Sequence, residues 1–307
     1  MSFHSHLEHF NQRPIVLWEG GDALDLSEQA YRIATGYDHD EEIDSLFASY
    51  LAATDAADTT TLVIGQWASD SDDEGIAASI RDALIAAAPQ LPKLEALFFG
   101  DIVGEENELS WIHNTNLAPL LMAYPNLKTF GTRGGQSLRF EGLSHAGLQS
   151  LTVQTGGLDQ ATLQDIAAAS LPSLTRLELW LGTEEYGASF AIEDLQPIVQ
   201  GQAFPQLKHL ALCNSDQAAA VLAALAGAPV LAQLESLDLS MGTLIDAEAE
   251  GLFALTLPAL KTLNLRRNYL SEDFCQRLQS HFSLELNVSE QEAFDEDDDY
   301  RYVECGE

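Results

Sequence analysis

The chain of 307 residues is 46% hydrophobic, enough for a sizeable core, and sets 14 Lys plus Arg against 48 Asp plus Glu for a formal net charge of −34. Affinity for nucleic acid comes largely from neutralising phosphates with Lys and Arg, so this charge argues against DNA, RNA and anionic membrane surfaces, and in favour of a basic protein partner or solubility alone. Cys213, Cys275 and Cys305 form no C-x-x-C pair, which gives neither a disulfide framework nor a zinc signature.

Residues 1–58 read as an N-terminal cap. The opening MSFHSHLEHFNQRP lacks the positive cluster and apolar stretch of a signal peptide, and no run approaches the roughly 18 apolar residues of a membrane span, so a cytoplasmic location is expected. Residues 15–18 (IVLW) suggest a short strand. Ile43, Leu46, Phe47, Tyr50 and Leu51 recur with the spacing of an amphipathic helix. The β-branched stretch 59–64 (TTTLVI) predicts the first regular strand. After it, residues 71–74 (SDDE) form a capping box that opens a helix carrying Ile76, Ile80, Leu84 and Ala87 on one side, closed by Pro89 and Pro92.

From there to residue 288 one phrase recurs, Leu-x-x-Leu-x-Leu or a near miss. It opens at Leu94, Leu127, Leu148, Leu174, Leu207, Leu234 and Leu260, at intervals of 33, 21, 26, 33, 27 and 26 residues. Helix patterns follow the strands at 159–169, 216–225, 246–255 and 271–278, and Leu-Pro or Phe-Pro steps at 171, 204 and 257 return the chain to the sheet. The two long intervals place extra residues at 105–114 and 183–193, where insertions tend to project as contact loops. Residues 284–286 (LEL) suggest a last strand. Residues 289–307 form an acidic tail in which five successive acids, 295–299, favour solvation, while Tyr300, Tyr302 and Val303 leave open a terminal strand or a partner anchor.

Phrase and period are those of leucine-rich repeats. The chain resembles a bacterial member of the ribonuclease-inhibitor-like leucine-rich-repeat superfamily. Its C-terminal two thirds resemble a group of bacterial cytoplasmic repeat proteins in AYPNLKTFGTRGGQSL, LPSLTRLELWLGTEEYG, FPQLKHLALCNS and YRYVECGE. The resemblance implies a right-handed α/β solenoid over residues 59–288, with parallel strands on the concave face and helices outside. Vertebrate ribonuclease inhibitors are rich in cysteine and this chain has three, so ribonuclease binding is not implied.

In such strands the leucines turn inward and the residues between them face the concave surface. The late strands place Arg176, Glu178, Trp180, His209, Asp238 and Arg266 there, a band of large and chemically distinct groups of the kind that carries interface energy. An enzymatic reading uses the same band, with His209 as a general base oriented by Asp238, but no nucleophile context or phosphate loop accompanies it. Gly134-Gly135 and Gly156-Gly157 read as repeat turns needing positive φ. His4, His6 and His9 read as a solvated cluster. Asp38, Asp40, Glu42 and Asp44 lack the glycine and glutamate of a calcium loop. Neither metal nor cofactor is expected. The sequence thus reads as a cytoplasmic protein-binding scaffold or adaptor. The alternatives are a regulatory accessory subunit of an enzyme, or a hydrolase using His209 and Asp238.

Overall fold

Because side chains alternate across a sheet, the repeated leucines share one buried layer only if neighbouring strands pair in step. The computed structural model describes residues 5–26, 28–35, 43–67, 75–294 and 300–306. His4, Asp38, Asp40, Glu42, the capping box at 71–74 and the acid run at 295–299 lie outside them. The chain forms two compact units, one of Met1–Val153 with Ala168–Ser173, the other of Gln154–Ala167 with Leu174–Gly306. Each is an α/β solenoid segment in which strands follow chain order in an open, mostly parallel sheet.

The first unit opens with an antiparallel hairpin of β1 (His9–Phe10) and β2 (Arg13–Leu17). Its turn residues Asn11 and Gln12 have φ of 49° and 63°, the left-handed pair that suits a two-residue hairpin. The parallel strands β3 (Ala30–Ile33), β4 (Thr61–Gly65), β5 (Ala96–Asp101), β6 (Thr129–Arg133) and β7 (Ser150–Gln154) come next. Tyr31 aligns with Leu62, Leu62 with Leu97, and Leu97 with Phe130, so the parallel ladder begins before the first regular strand that the sequence suggests. Helix α1 (Ile43–Ala52) buries Ile43, Leu46, Phe47 and Tyr50, as its periodicity predicts. Helix α2 (Ile76–Ala87) buries Ala77, Ile80, Leu84 and Ala87, with Ala77 in the place expected for Ile76. The short α3 (Ala118–Ala123) has Pro119 in its first turn, where a missing N–H costs nothing.

Every residue of β4 and β5 is buried, which requires cover on both faces. The face opposite the leucines carries Val63 and Phe98, and residues 5–10 lie on it. Leu7 packs with Val63 and Phe98 beside Phe10 and Ile15, and the Phe10 and Phe98 rings meet edge to face at 5.6 Å. The polar end of this contact centres on buried Asp101, which accepts the Leu7 backbone N–H at 3.2 Å to each carboxylate oxygen. Arg32 and Arg133 stand 3.5 Å from its two oxygens, and His6 lies 3.6 Å from Asp101 and 3.2 Å from Glu106. His6 is therefore part of the fold, not the solvated cluster that the sequence suggests. Burial opposes charge on its ring, but bonds to Asp101 and Glu106 outweigh that and lift its pKa to about 9.

The second unit holds α4 (Gln160–Ala168, bar its last residue), β8 (Arg176–Gly182), α5 (Gln196–Val199), β9 (His209–Ser215), α6 (Ala218–Leu225), β10 (Ser236–Asp238), α7 (Asp246–Ala249), β11 (Thr262–Asn264), α8 (Glu272–His281) and β12 (Glu285–Asn287). Leu177, Leu210, Leu237, Leu263 and Leu286 align in one rung, and the first four are at most 1% exposed. The Ser271 hydroxyl caps α8 by accepting the Phe274 N–H. Buried Asn268 closes the turn after β11, donating to the Leu239 and Leu265 carbonyls at 3.0 and 3.2 Å while accepting the Leu244 N–H at 3.1 Å.

The glycines divide by reason. Gly134 has φ +100°, as a tight turn requires. Gly135, Gly156 and Gly157 do not take positive φ, contrary to the sequence reading; a Cβ on Gly157 would meet Tyr186 O and Ala188 N at 2.4 Å, so backbone proximity excludes a side chain there. The insertion at 183–193 folds back through that contact, with Thr183 N–H donating to Gly156 O at 2.8 Å.

Two outcomes follow. Leu237→Ala should cost about 2 to 5 kcal/mol in urea unfolding, as for other fully buried leucines, and a loss below about half a kcal/mol would contradict the register. His6 has its pKa raised on folding, so its stabilisation is complete below about pH 6.5 and fades as pH rises through about 9. Nuclear magnetic resonance titration should place its midpoint near 9, and His6→Gln should flatten the loss of stability over that range.

Candidate functional site

The alternation that buries Leu177, Leu210, Leu237 and Leu263 turns their neighbours to the other face of the second unit. Arg176, His209, Ser236 and Thr262 form one cross-strand row, and Glu178, Ala211, Asp238 and Asn264 the next. Between the rows runs a groove of about 350 Å³, bordered also by Glu235 and Lys261. Where β4 and β5 are buried on both faces, β10, β11 and the first residues of β8 and β9 alternate between buried and half-exposed or exposed residues, and the groove is open.

The six residues singled out from sequence are distributed unevenly. Arg176, Glu178, His209 and Asp238 line the groove together. Arg176 is exposed. Trp180 is 1% exposed and so does not project as a surface anchor; its indole N–H donates to Glu178 Oε1 at 3.1 Å. Arg266 lies apart from the groove and is paired with Glu290 and Glu304.

His209 and Asp238 do not bond to each other. His209 Nδ1 and Ser236 Oγ are 2.8 Å apart, while Asp238 accepts Ser240 N–H at 2.9 Å and the Asn264 amide at 2.8 Å. The imidazole pKa is lowered by burial and then by the charge of Arg176. Burial raises the Glu178 carboxyl, the Asp238 charge adds to this, and bonds from Trp180 and Gln154 oppose it. The base and orienting carboxylate of the hydrolase reading are thus not assembled, and each member is held by another partner.

Along the groove edge Lys208, Glu235 and Lys261 form a ladder that sequence reading passed over. Glu235 bonds Lys208 at 2.8 Å and Lys261 at 2.6 Å, and these two partners push its pKa down to about 2. The signal was present, since all three occupy the position after the first leucine of their phrases and alternate in sign. Glu95 and Lys128 repeat the device in the first unit at 2.7 Å.

All three cysteines are buried, and burial raises the Cys213 thiol well above its ordinary pKa, so Cys213 packs as a small apolar group. Among the described residues no cluster of three His, Cys, Asp or Glu could hold a metal, and no helix is long and apolar enough to cross a membrane.

The chain matches no protein-family model and no curated protein. Among solved structures, a protein from Bacteroides fragilis is similar at a TM-score of 0.82 and 29% identity, over 88% of this chain and 77% of that one. That likeness extends the fold to a solved protein. An internalin from Listeria monocytogenes aligns at a TM-score of 0.40 and 17% identity, over 88% of this chain and 62% of that one, too loosely to carry an argument.

Because its indole is buried, Trp180→Ala should act on folding, with a loss of about 3 to 5 kcal/mol in denaturant unfolding. A loss under about 1 kcal/mol would show the ring to be peripheral.

Proposed function

We propose that this chain is a protein-binding scaffold or adaptor of the ribonuclease-inhibitor-like leucine-rich-repeat superfamily, working in the bacterial cytoplasm without catalysis. The observation that supports this is the open groove of the second unit, which Arg176, His209, Ser236, Asp238 and Asn264 line together. The first unit shows what such strands look like when that face is covered, with apolar Val63 and Phe98 in place of polar groups. A polar face left open suits a polar segment of a partner. Arginine is among the residue types that most often dominate interface energy, and Arg176 is the exposed one here.

The net charge of −34 favours a partner of opposite overall charge, whose association slows as salt rises. Duplex DNA and RNA are not partners in this reading, because 14 basic residues, several already paired with carboxylates, release few counterions.

The test is an affinity measurement with the protein that co-purifies with the tagged chain. Arg176→Ala should weaken it by more than about 1 kcal/mol, whereas Gln164→Ala on α4 should leave it unchanged. Equal effects at the two positions, or none at Arg176, would remove the groove from the interface. Turnover abolished by His209→Ala at unchanged partner affinity would instead favour the enzyme reading.

A further inference from the structure

The closing residues of the second unit are tied down along their backbone and charged side chains. Arg301 spans both oxygens of Glu248 at 2.6 and 3.0 Å, Tyr302 exchanges backbone bonds with the Tyr269 hydroxyl at 2.8 and 3.0 Å, and Glu304 pairs with Arg266. Buried Asn214 then clamps Cys305 through both its amide and its carbonyl, at 2.9 and 2.5 Å. A segment held at so many points is fixed before any partner arrives.

Yet two large rings on this segment face water. Tyr300 is 56% and Tyr302 69% exposed, with ring centroids 4.5 Å apart. Carboxylates stand beside Tyr300: it donates to Glu185 at 3.1 Å, and Glu184 and Asp216 are exposed beside that loop. The one cation of the segment, Arg301, is turned into Glu248 and the Thr243 carbonyl, so it does not offset this charge. Aromatic faces attract cations through their quadrupole, and nearby carboxylates add a Coulombic pull. The chain already makes such contacts internally, with the Arg277 guanidinium 4.9 Å from the Phe253 ring and that of Arg301 5.9 Å from the Phe294 ring.

We propose that the Tyr300 and Tyr302 rings, with Glu185 beside them, form a fixed docking surface for an arginine- or lysine-rich segment of a protein partner. It is a second contact surface, separate in its residues from the groove, and it adds a chemical identity to the partner without depending on the groove.

The probe is a hexa-arginine peptide, titrated calorimetrically into the full chain at about 0.15 M salt, where attraction to distant exposed charges is largely screened. Replacing both tyrosines by Ala should weaken binding by about fivefold or more, the effect of two cation–π contacts, while Phe at both positions should keep most of it. Arg176→Ala should not change it. The Tyr302 contacts to Tyr269 use backbone atoms, so Tyr302→Ala alone keeps them and supplies a partial loss should the double variant melt early. Three results would overturn the proposal. They are no binding by the native chain, equal binding by the double Ala variant, which would leave adsorption on net charge, and tighter binding on Arg176→Ala, which removes a repelling cation and would place the peptide in the groove.

Discussion

The leucine rung is the constraint from which the other features descend. With Leu177, Leu210, Leu237 and Leu263 aligned strand to strand and turned inward, period-two alternation leaves no freedom in where Arg176, His209, Ser236 and Thr262 point. A slip of one residue would bury that polar row and expose the leucines. The groove therefore exists because the core does, and the alternating ladder of Lys208, Glu235 and Lys261 along its edge is a consequence of the same register.

One architecture carries two surface chemistries, an apolar covered face over β4 and β5 and an open face along the groove. In the first, Val63 and Phe98 need cover, and the segment of residues 5–10 supplies it with Leu7 and Phe10. Its hydrogen bonds and charges converge on Asp101, which burial alone would destabilise as an anion; the His6 bond and the nearby charges of Arg133, His6 and Arg32 reverse that and hold its pKa below the usual value. In the second, Glu178, Asp238 and Asn264 hold the corresponding positions with Ala211, and the groove stays accessible. The likeness to the Bacteroides fragilis protein bears on the shared fold and leaves the chemistry of either face to each sequence.

What the sequence made legible was whatever local periodicity encodes. Seven Leu-x-x-Leu-x-Leu phrases give seven strands, and the helices at 43–52, 76–87, 160–168, 218–225 and 272–281 overlap their predicted positions. Pairings remote in sequence were not legible. His6 meets Asp101 across 95 positions and Asn214 meets Cys305 across 91, and no local pattern announces either. β3 escaped because AYRI is four residues long, with an arginine that serves Asp101. Alternation assigns Trp180 to the Glu178 side and so predicts that it projects, yet it is buried, with its N–H given to Glu178.

The central claim is that one sheet face is closed over β4 and β5 and open along the groove from β8 to β11, and cysteine accessibility tests it most directly. The native thiols are buried, so a single introduced cysteine reports its own surroundings. Ala96 on β5 is fully buried, and Ala211 on β9 lines the groove. Under native conditions Ala211→Cys should react with a thiol reagent more than about tenfold faster than Ala96→Cys, whose label should enter only as the chain unfolds. Equal rates in two folded variants, or faster labelling at position 96, would contradict the assignment of a closed and an open face.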